Sequence, residues 1–242
     1  MVFYKVDGSE FVKSKMKTYS KAVLQDRALP DVQDGLKPIH RRIIYSMYKN
    51  GWTSNKPFVK CAKIIGYVIG THSPHGDASA YDALTKMTTN FTLNQPLLDK
   101  HGNMSTMSGD AASAFRYTES RLNEFTEEFL LTDINSNAVD FQKNFDGTTV
   151  EPVVLPARLP LVLVNGAYGI GAGGMSSGVP QHSIESVINY TIDLFNNPNK
   201  DDWDLIMDNK LLPNYPLGGE IDMNGLSINL ELELMLTRVE IL

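Results

Sequence analysis

Cysteine is nearly absent from this 242-residue chain, with Cys61 the only one. That excludes an internal disulfide and a cysteine zinc cluster. Cys61 itself falls in a helical apolar pattern and reads as a core residue. Long hydrophobic runs are missing too: none approaches the roughly 18 residues that read as a membrane span. The first residues, Met1-Val2-Phe3-Tyr4-Lys5-Val6-Asp7, lack the apolar centre of a signal peptide. Acidic pairs such as Asp201-Asp202 and Glu231/Glu233 have no chelating spacing, so no metal site is expected in the chain. There is no internal repeat and no low-complexity linker. What remains is the composition of an ordinary soluble protein, long enough for one large or two modest domains, and a cytoplasmic setting is expected.

The net charge of −6 conceals a sharp asymmetry. Residues 1–65 hold 13 of the 22 Lys and Arg but only 5 of the 28 Asp and Glu, a balance of +8, which leaves −14 on the remainder. A basic third on an acidic body suits a protein that turns one face toward phosphates.

Residues 11–26 read as a lysine-rich helix. Asp31 to Gly35 supplies turn-forming residues, and Pro38 sits where a first helical residue should be. Ile39, Ile43, Ile44, Met47 and Tyr48 then share a helical face until Gly51 ends the helix. A second helix is expected over 57–70, with Val59, Ala62, Ile65 and Ile69 toward the core. Lys60 and Lys63 point away, as candidate DNA contacts. After a Gly70–Gly76 turn, a third helix should run from Asp77 to Thr88. Two helices joined by a short glycine-containing turn form the helix-turn-helix pattern, the second being the recognition helix. Residues 99–119 suit a wing, followed by a helix over 120–131.

Character changes near 150. Pro152, Pro156 and Pro160 punctuate the chain, and Leu161-Val162-Leu163-Val164 reads as a buried strand before a glycine-rich loop. A helix over 183–196 and strands near 219–223 and 227–241 follow. The expected fold class is therefore α+β: a winged-helix domain over 1–148 and part of an α/β domain over 149–242.

Gly169-Ile170-Gly171-Ala172-Gly173-Gly174 has the form of a dinucleotide-binding loop. That motif requires a helix to open at the glycines. Here Met175-Ser176-Ser177-Gly178-Val179-Pro180 intervenes, so a Rossmann-type enzyme is the weaker reading.

The segment Ala111-Ala112-Ser113-Ala114-Phe115-Arg116-Tyr117-Thr118-Glu119 carries a tyrosine beside a guanidinium. A free phenol is a weak nucleophile, with a pKa of about 10. A neighbouring cation lowers that value and stabilises charge on a reacting phosphate. Upstream lie Arg27-Ala28-Leu29-Pro30-Asp31-Val32-Gln33-Asp34-Gly35-Leu36-Lys37-Pro38-Ile39-His40-Arg41-Arg42, then Pro74-His75-Gly76-Asp77 and Tyr81-Asp82. In this order, from about residue 15 to about 220, the motifs resemble the DNA-breaking subunit of type IIA topoisomerases. That family includes the A subunits of gyrase and of topoisomerase IV and their phage counterparts, and the tyrosine motif has the bacterial or phage form.

The resemblance implies roles. Tyr117 would attack a DNA phosphate and join its 5′ end, with Arg116 and Arg27 stabilising the crowded phosphorus and His75 assisting. Lys37, His40, Arg41 and Arg42 would contact phosphates at a helix start, and Ile170 would wedge between base pairs. Ser73 stands where the family usually has a second histidine, and His72 is the candidate to compensate. Ala78 and Asp82 occupy the family's quinolone-contacting positions, with Ala78 in place of a serine and Ser79 displaced by one residue. Implied partners are double-stranded DNA, a second copy of the chain and a separate ATPase subunit that binds ATP and most of the Mg2+. No membrane partner is expected, and the cytoplasm of a bacterium or of a phage host is implied. Family members continue into a full tower, a coiled coil and a distal gate, and the resemblance fades near residue 224. The alternative is a winged-helix DNA-binding module without catalysis, or an inactive truncated subunit.

Overall fold

The structure, a computed structural model, describes residues 7–170, 176–214, 220–222, 228–231 and 239–241. It is a mixed α+β arrangement. Helix α1 (Gly8–Val23) opens at Asp7, whose carboxylate accepts hydrogen bonds from the Ser9 and Glu10 amides. None of its residues is buried, and it leads through a π-helical turn (Leu24–Ala28) into the body. Helix α2 (Pro38–Lys49) begins with the proline at its first turn, where the missing N–H costs nothing. Ile43, Ile44 and Met47 on its inner face are fully buried, with Ile39 and Tyr48 packed beside them.

Strand β1 (Val59–Lys60), helices α3 (Cys61–Thr71) and α4 (Asp77–Met87), and strands β2 (Leu98–His101) and β3 (Glu119–Leu122) follow. The three strands form an antiparallel sheet in the order β1-β3-β2. Thus α3 and α4, joined by five residues, are followed by a two-stranded ribbon whose long connection carries Tyr117. A short helical turn α5 (Glu124–Thr126) continues as a π-helical turn, Glu127–Leu131. Strands β4 (Phe141–Lys143) and β5 (Val150–Pro152) form a hairpin, α6 (Leu161–Val164) is a single turn, and β6 (Ala167–Ile170) pairs with β7 (Ser176–Val179). Helices α7 (Ile184–Asn196) and α8 (Asp202–Asp208) come next. Strands β8 (Glu220–Asp222), β9 (Ile228–Glu231) and β10 (Val239–Ile241) make a separate antiparallel sheet.

Three expectations change. Leu161-Val162-Leu163-Val164 is helical, not a strand. Leu161 and Val164 are buried at helical spacing, and a short apolar run does not distinguish a buried strand from a buried turn of helix. The stretch opening at 120 begins as strand, because Ser120 and Leu122 alternate inward with a period of two. In the second helix the buried set is Cys61, Ile64, Ile65 and Val68, one step out of phase with the expected face, since residues 59–60 are extended. Val59, Ala62 and Ile69 are only partly buried. Among the described residues no helix is long and apolar enough to cross a membrane.

One core cluster runs from Leu36 through α2, α3 and α4 to Leu155, Leu159, Leu161, Val164 and Val187. Two glycines seat the later segments on the earlier ones. Gly35 has φ +68°, and a Cβ there would lie 2.6 Å from the Val162 nitrogen. A Cβ on Gly169 would lie 2.7 Å from the Ala28 carbonyl oxygen. The β6 strand is thereby held against the π-helical turn that contains Arg27.

Candidate functional site

Tyr117 is 69% exposed, and the Arg116 guanidinium lies over its ring, 4.6 Å from the centroid. The backbone under this pair is fixed. The Tyr117 amide donates to the Ala114 carbonyl (2.9 Å), closing a turn. The first helical amides of α3, which have no partner within their own helix, donate to the same segment: Cys61 to the Thr118 carbonyl (2.9 Å) and Ala62 to the Phe115 carbonyl (3.2 Å). Thr118 is fully buried, and its hydroxyl is 2.8 Å from the Tyr81 hydroxyl on α4. Glu119 and Ser120 continue into β3, paired with Lys60 and Val59. Burial pushes the Tyr81 phenol above its ordinary value, against the Thr118 hydrogen bond, and pushes the Cys61 thiol up to about 11.

His75 lies in the exposed turn just before α4, and Arg27 is exposed on the π-helical turn against which β6 packs. Ile170 ends β6 with 57% of its surface exposed, and Tyr168, two residues earlier on the same strand face, is exposed as well. Gly171 to Gly174 lie outside the described residues. Beyond them Ser176–Val179 is a strand, so no helix opens there among the described residues. Lys60 and Lys63 are exposed, and the Lys63 ammonium lies 5.4 Å from the Trp52 ring centroid.

The start of α2 differs from the sequence-based expectation. Arg41 is 8% exposed, and its Nε and Nη2 donate to the two carboxylate oxygens of Asp34 at 2.6 and 2.9 Å. Nη2 also reaches the Leu36 carbonyl at 3.2 Å. Asp34 is completely buried and also accepts from the Leu36 and Leu155 amides, at 3.0 and 2.9 Å. Arg41 is thus engaged as an internal counter-ion and is corrected from a phosphate contact to a structural residue. Arg42 binds Glu151, with Nη2 2.9 Å from Oε1, and keeps part of its surface open. Lys37 is half-buried, and burial, with the nearby Lys86 charge, lowers its ammonium from the ordinary range. His40 is driven down to about 4 by burial and then by Lys37, Lys86 and Arg41, against a smaller opposing effect of Asp82. At neutral pH its imidazole is thereby uncharged.

His72, the candidate to compensate for Ser73, points into the interior beside it. Both are buried, and His72 Nδ1 faces Glu151 Oε2 at 3.3 Å, too poorly aligned for a hydrogen bond by strict geometry. Burial pushes the Glu151 carboxyl up. The close approach of His72 and the hydrogen bonds and charge of Arg42 outweigh it, so the carboxyl stays below the ordinary value. Ala78 is exposed near the start of α4, and Asp82 pairs with Lys86 at 2.7 Å. The Ser79 hydroxyl donates to the Gly76 carbonyl at 2.9 Å. Asp34, Tyr81 and Thr118 lie inside the quoted motifs but were not singled out as site residues by sequence, and Glu151 carried no sequence signal.

Residues 27–231 match the family model that describes the A subunit of DNA gyrase/topoisomerase IV. The DNA gyrase A subunit of a Synechocystis species is 47% identical over 205 residues, 84% of this chain and 23% of the relative. The DNA gyrase A subunit of Leptospira biflexa is 44% identical over 218 residues, 89% of this chain and 25% of the relative. The DNA topoisomerase 4 A subunit of the same Synechocystis is 46% identical over 211 residues, 86% of this chain and 22% of the relative. The chain thus spans about a quarter of the length of the curated relatives it matches. The family match begins later than residue 15 and continues past 224, into β9. With most of its length matched, and with the exposed Arg116-Tyr117 pair on an anchored loop inside the match, this chain belongs to the family of DNA gyrase/topoisomerase IV A subunits.

Proposed function

We propose that this chain is the DNA-cleaving portion of an ATP-dependent type II topoisomerase. Tyr117 Oη attacks a backbone phosphorus, a P–Oη bond forms, and the bond to the 3′ oxygen breaks. The phenol loses its proton, and the departing 3′ oxygen gains one. Exchange of one phosphodiester for another conserves bond energy, so resealing is the same step reversed. Arg116 and Arg27 are assigned to the charge on the phosphoryl oxygens and His75 to positioning or proton traffic. The carrying observation is an exposed tyrosine under its own arginine on a backbone fixed from both sides.

The unit α3–α4 with the β2–β3 ribbon is read as a winged helix, with α4 as the recognition helix. Its phosphate contacts are assigned to Lys60 and Lys63, to Lys37 and His40, and to the open edge of Arg42. Residues 1–148 carry the nucleophile; residues 149–242, the first part of a tower domain, carry Ile170, which unstacks a base step and bends the duplex. The shared core makes this a division of labour between two parts that pack together. Two copies cut opposite strands, and a separate subunit supplies ATP hydrolysis. Among the described residues no group of three or more His, Cys, Asp or Glu could hold a metal ion. The family resemblance assigns Mg2+ to acidic residues of that subunit, and no step here is routed through it.

The test is incubation of the full-length protein with its ATPase partner, Mg2+ and duplex DNA, followed by denaturation. Protein linked to DNA supports cleavage. Tight DNA binding with no linked product would favour the non-catalytic winged-helix module.

A further inference from the structure

The Tyr81 hydroxyl on α4 lies 2.6 Å from the Ser113 carbonyl and 2.8 Å from Thr118 Oγ1. A carbonyl can only accept, so the single phenolic proton goes to Ser113 and the Thr118 hydroxyl donates to Tyr81. Both of the bonds are short, and both meet the chain at the two ends of residues 114–117. The Tyr81 ring also meets Phe115 edge-on, with centroids 5.7 Å apart. Gly102, at φ +92°, brings β2 against Thr118, where a Cβ would lie 3.4 Å from the Thr118 methyl.

One side chain therefore grips both ends of the turn that presents the nucleophile, and that side chain belongs to the helix whose outer face shows Ala78, Ser79 and Asp82. Resting on the reading of Tyr117 as nucleophile, we infer that Tyr81, through the Thr118 hydroxyl, is a positioning residue that ties the seating of α4 to the placement of Tyr117. It touches neither DNA nor phosphate in this role. Its effect is geometric, and a displacement of about 1 Å at a reacting atom can cost on the order of 100-fold in rate.

The experiment compares Tyr81→Phe, Thr118→Val and Thr118→Ser in the full-length protein, in complex with its ATPase partner. The rate constant for covalent complex formation is measured at saturating DNA, with the DNA dissociation constant and the fraction of active sites measured separately. Tyr81→Phe and Thr118→Val should each lower the rate constant by roughly 10- to 100-fold, with DNA affinity within about two-fold. Thr118→Ser, which keeps the hydroxyl, should restore the native rate. The double variant Tyr81→Phe/Thr118→Val should be no slower than the slower single variant, because both remove one linkage. A purely structural role would lower the fraction of active sites and leave the rate constant intact. That outcome, a rate constant for Tyr81→Phe within two-fold of native, or multiplicative losses in the double variant would each overturn the inference. If Tyr81→Phe fails to fold, the Thr118 pair decides alone: equal rates for serine and valine overturn it. Absence of any adduct with the native protein would overturn the nucleophile reading as well, which separates the two failures.

Discussion

Two stretches rich in candidate functional residues handle polar groups in opposite ways. In residues 113–118 the backbone groups and Thr118 turn inward and are satisfied by α3 and Tyr81, which leaves Tyr117 and Arg116 facing out. In residues 34–42 the charges themselves turn inward: Arg41 onto Asp34, and Arg42 onto Glu151. The first stretch is a platform, hydrogen-bonded from both sides, under the proposed nucleophile. The second is a structural joint that ties the basic segment to residues 151–155. A basic sequence motif is thus not equivalent to a basic surface. Of the two adjacent arginines, one is an internal counter-ion and the other retains an open edge.

The comparison breaks most readily at the joint. Asp34→Ala leaves the Arg41 guanidinium buried without its carboxylate, and removing one partner of a buried pair costs about 3–5 kcal/mol. Chemical denaturation of the full-length protein should show that loss. A change below about 1 kcal/mol would mean that water already shares the site.

Acid should weaken the same joint. His40 ordinarily titrates at 6.5 and is held at about 4 in the fold, so the unfolded chain binds its proton first as pH falls. The stabilising contribution is fully present above pH 6.5 and is lost as pH falls through 4, on the order of 3 kcal/mol in all. Glu151, also lowered, adds a loss in the same direction at lower pH. His40→Gln should flatten the stability profile between pH 6.5 and 4, measured by urea unfolding at fixed pH values. An unchanged slope would place the sensitivity elsewhere.

A smaller effect separates surface cations from internal ones. Replacing Lys60 or Lys63 with Gln should reduce the log–log salt slope of DNA binding by roughly 0.9 per lost phosphate contact. Arg41 substitutions should change stability and leave that slope alone. If Arg41 flattened the slope as much as the lysines do, its assignment as a structural residue would be wrong.

The smallest effect concerns quinolones. Ser79 is displaced by about 100° around α4 from position 78, and its hydroxyl is engaged with Gly76. Ala78→Ser should therefore raise quinolone stabilisation of the cleaved complex, read as the drug concentration giving half-maximal linear DNA. Equal values would detach drug binding from this position.

Much of the local structure was legible because it repeats: the buried face of α2, the proline at its start and the core placement of Cys61 follow from spacing and turn chemistry. The Arg116-Tyr117 pair, the proposed reacting centre, stood out because its motif is contiguous. Long-range partners were not. Asp34 meets Leu155 and Arg42 meets Glu151 across more than a hundred residues, and no periodicity in one segment names its partner in another. The Leu161–Val164 run failed for a different reason, being too short to carry a period. Tyr81 lay within a recognised motif, but its reach to Ser113 and Thr118 depends on how the ribbon folds back over α4.

The most direct test of the account is the identity of the residue that becomes linked to DNA. Adduct formed by the full-length protein with its ATPase partner would be digested with protease and nuclease, and the nucleotide-bearing peptide identified by mass spectrometry. The account predicts a nucleotide on Tyr117, joined through a 5′ phosphate, and no adduct from Tyr117→Phe while DNA binding stays within a few-fold. A nucleotide on any other residue, or an adduct that survives Tyr117→Phe, would contradict it.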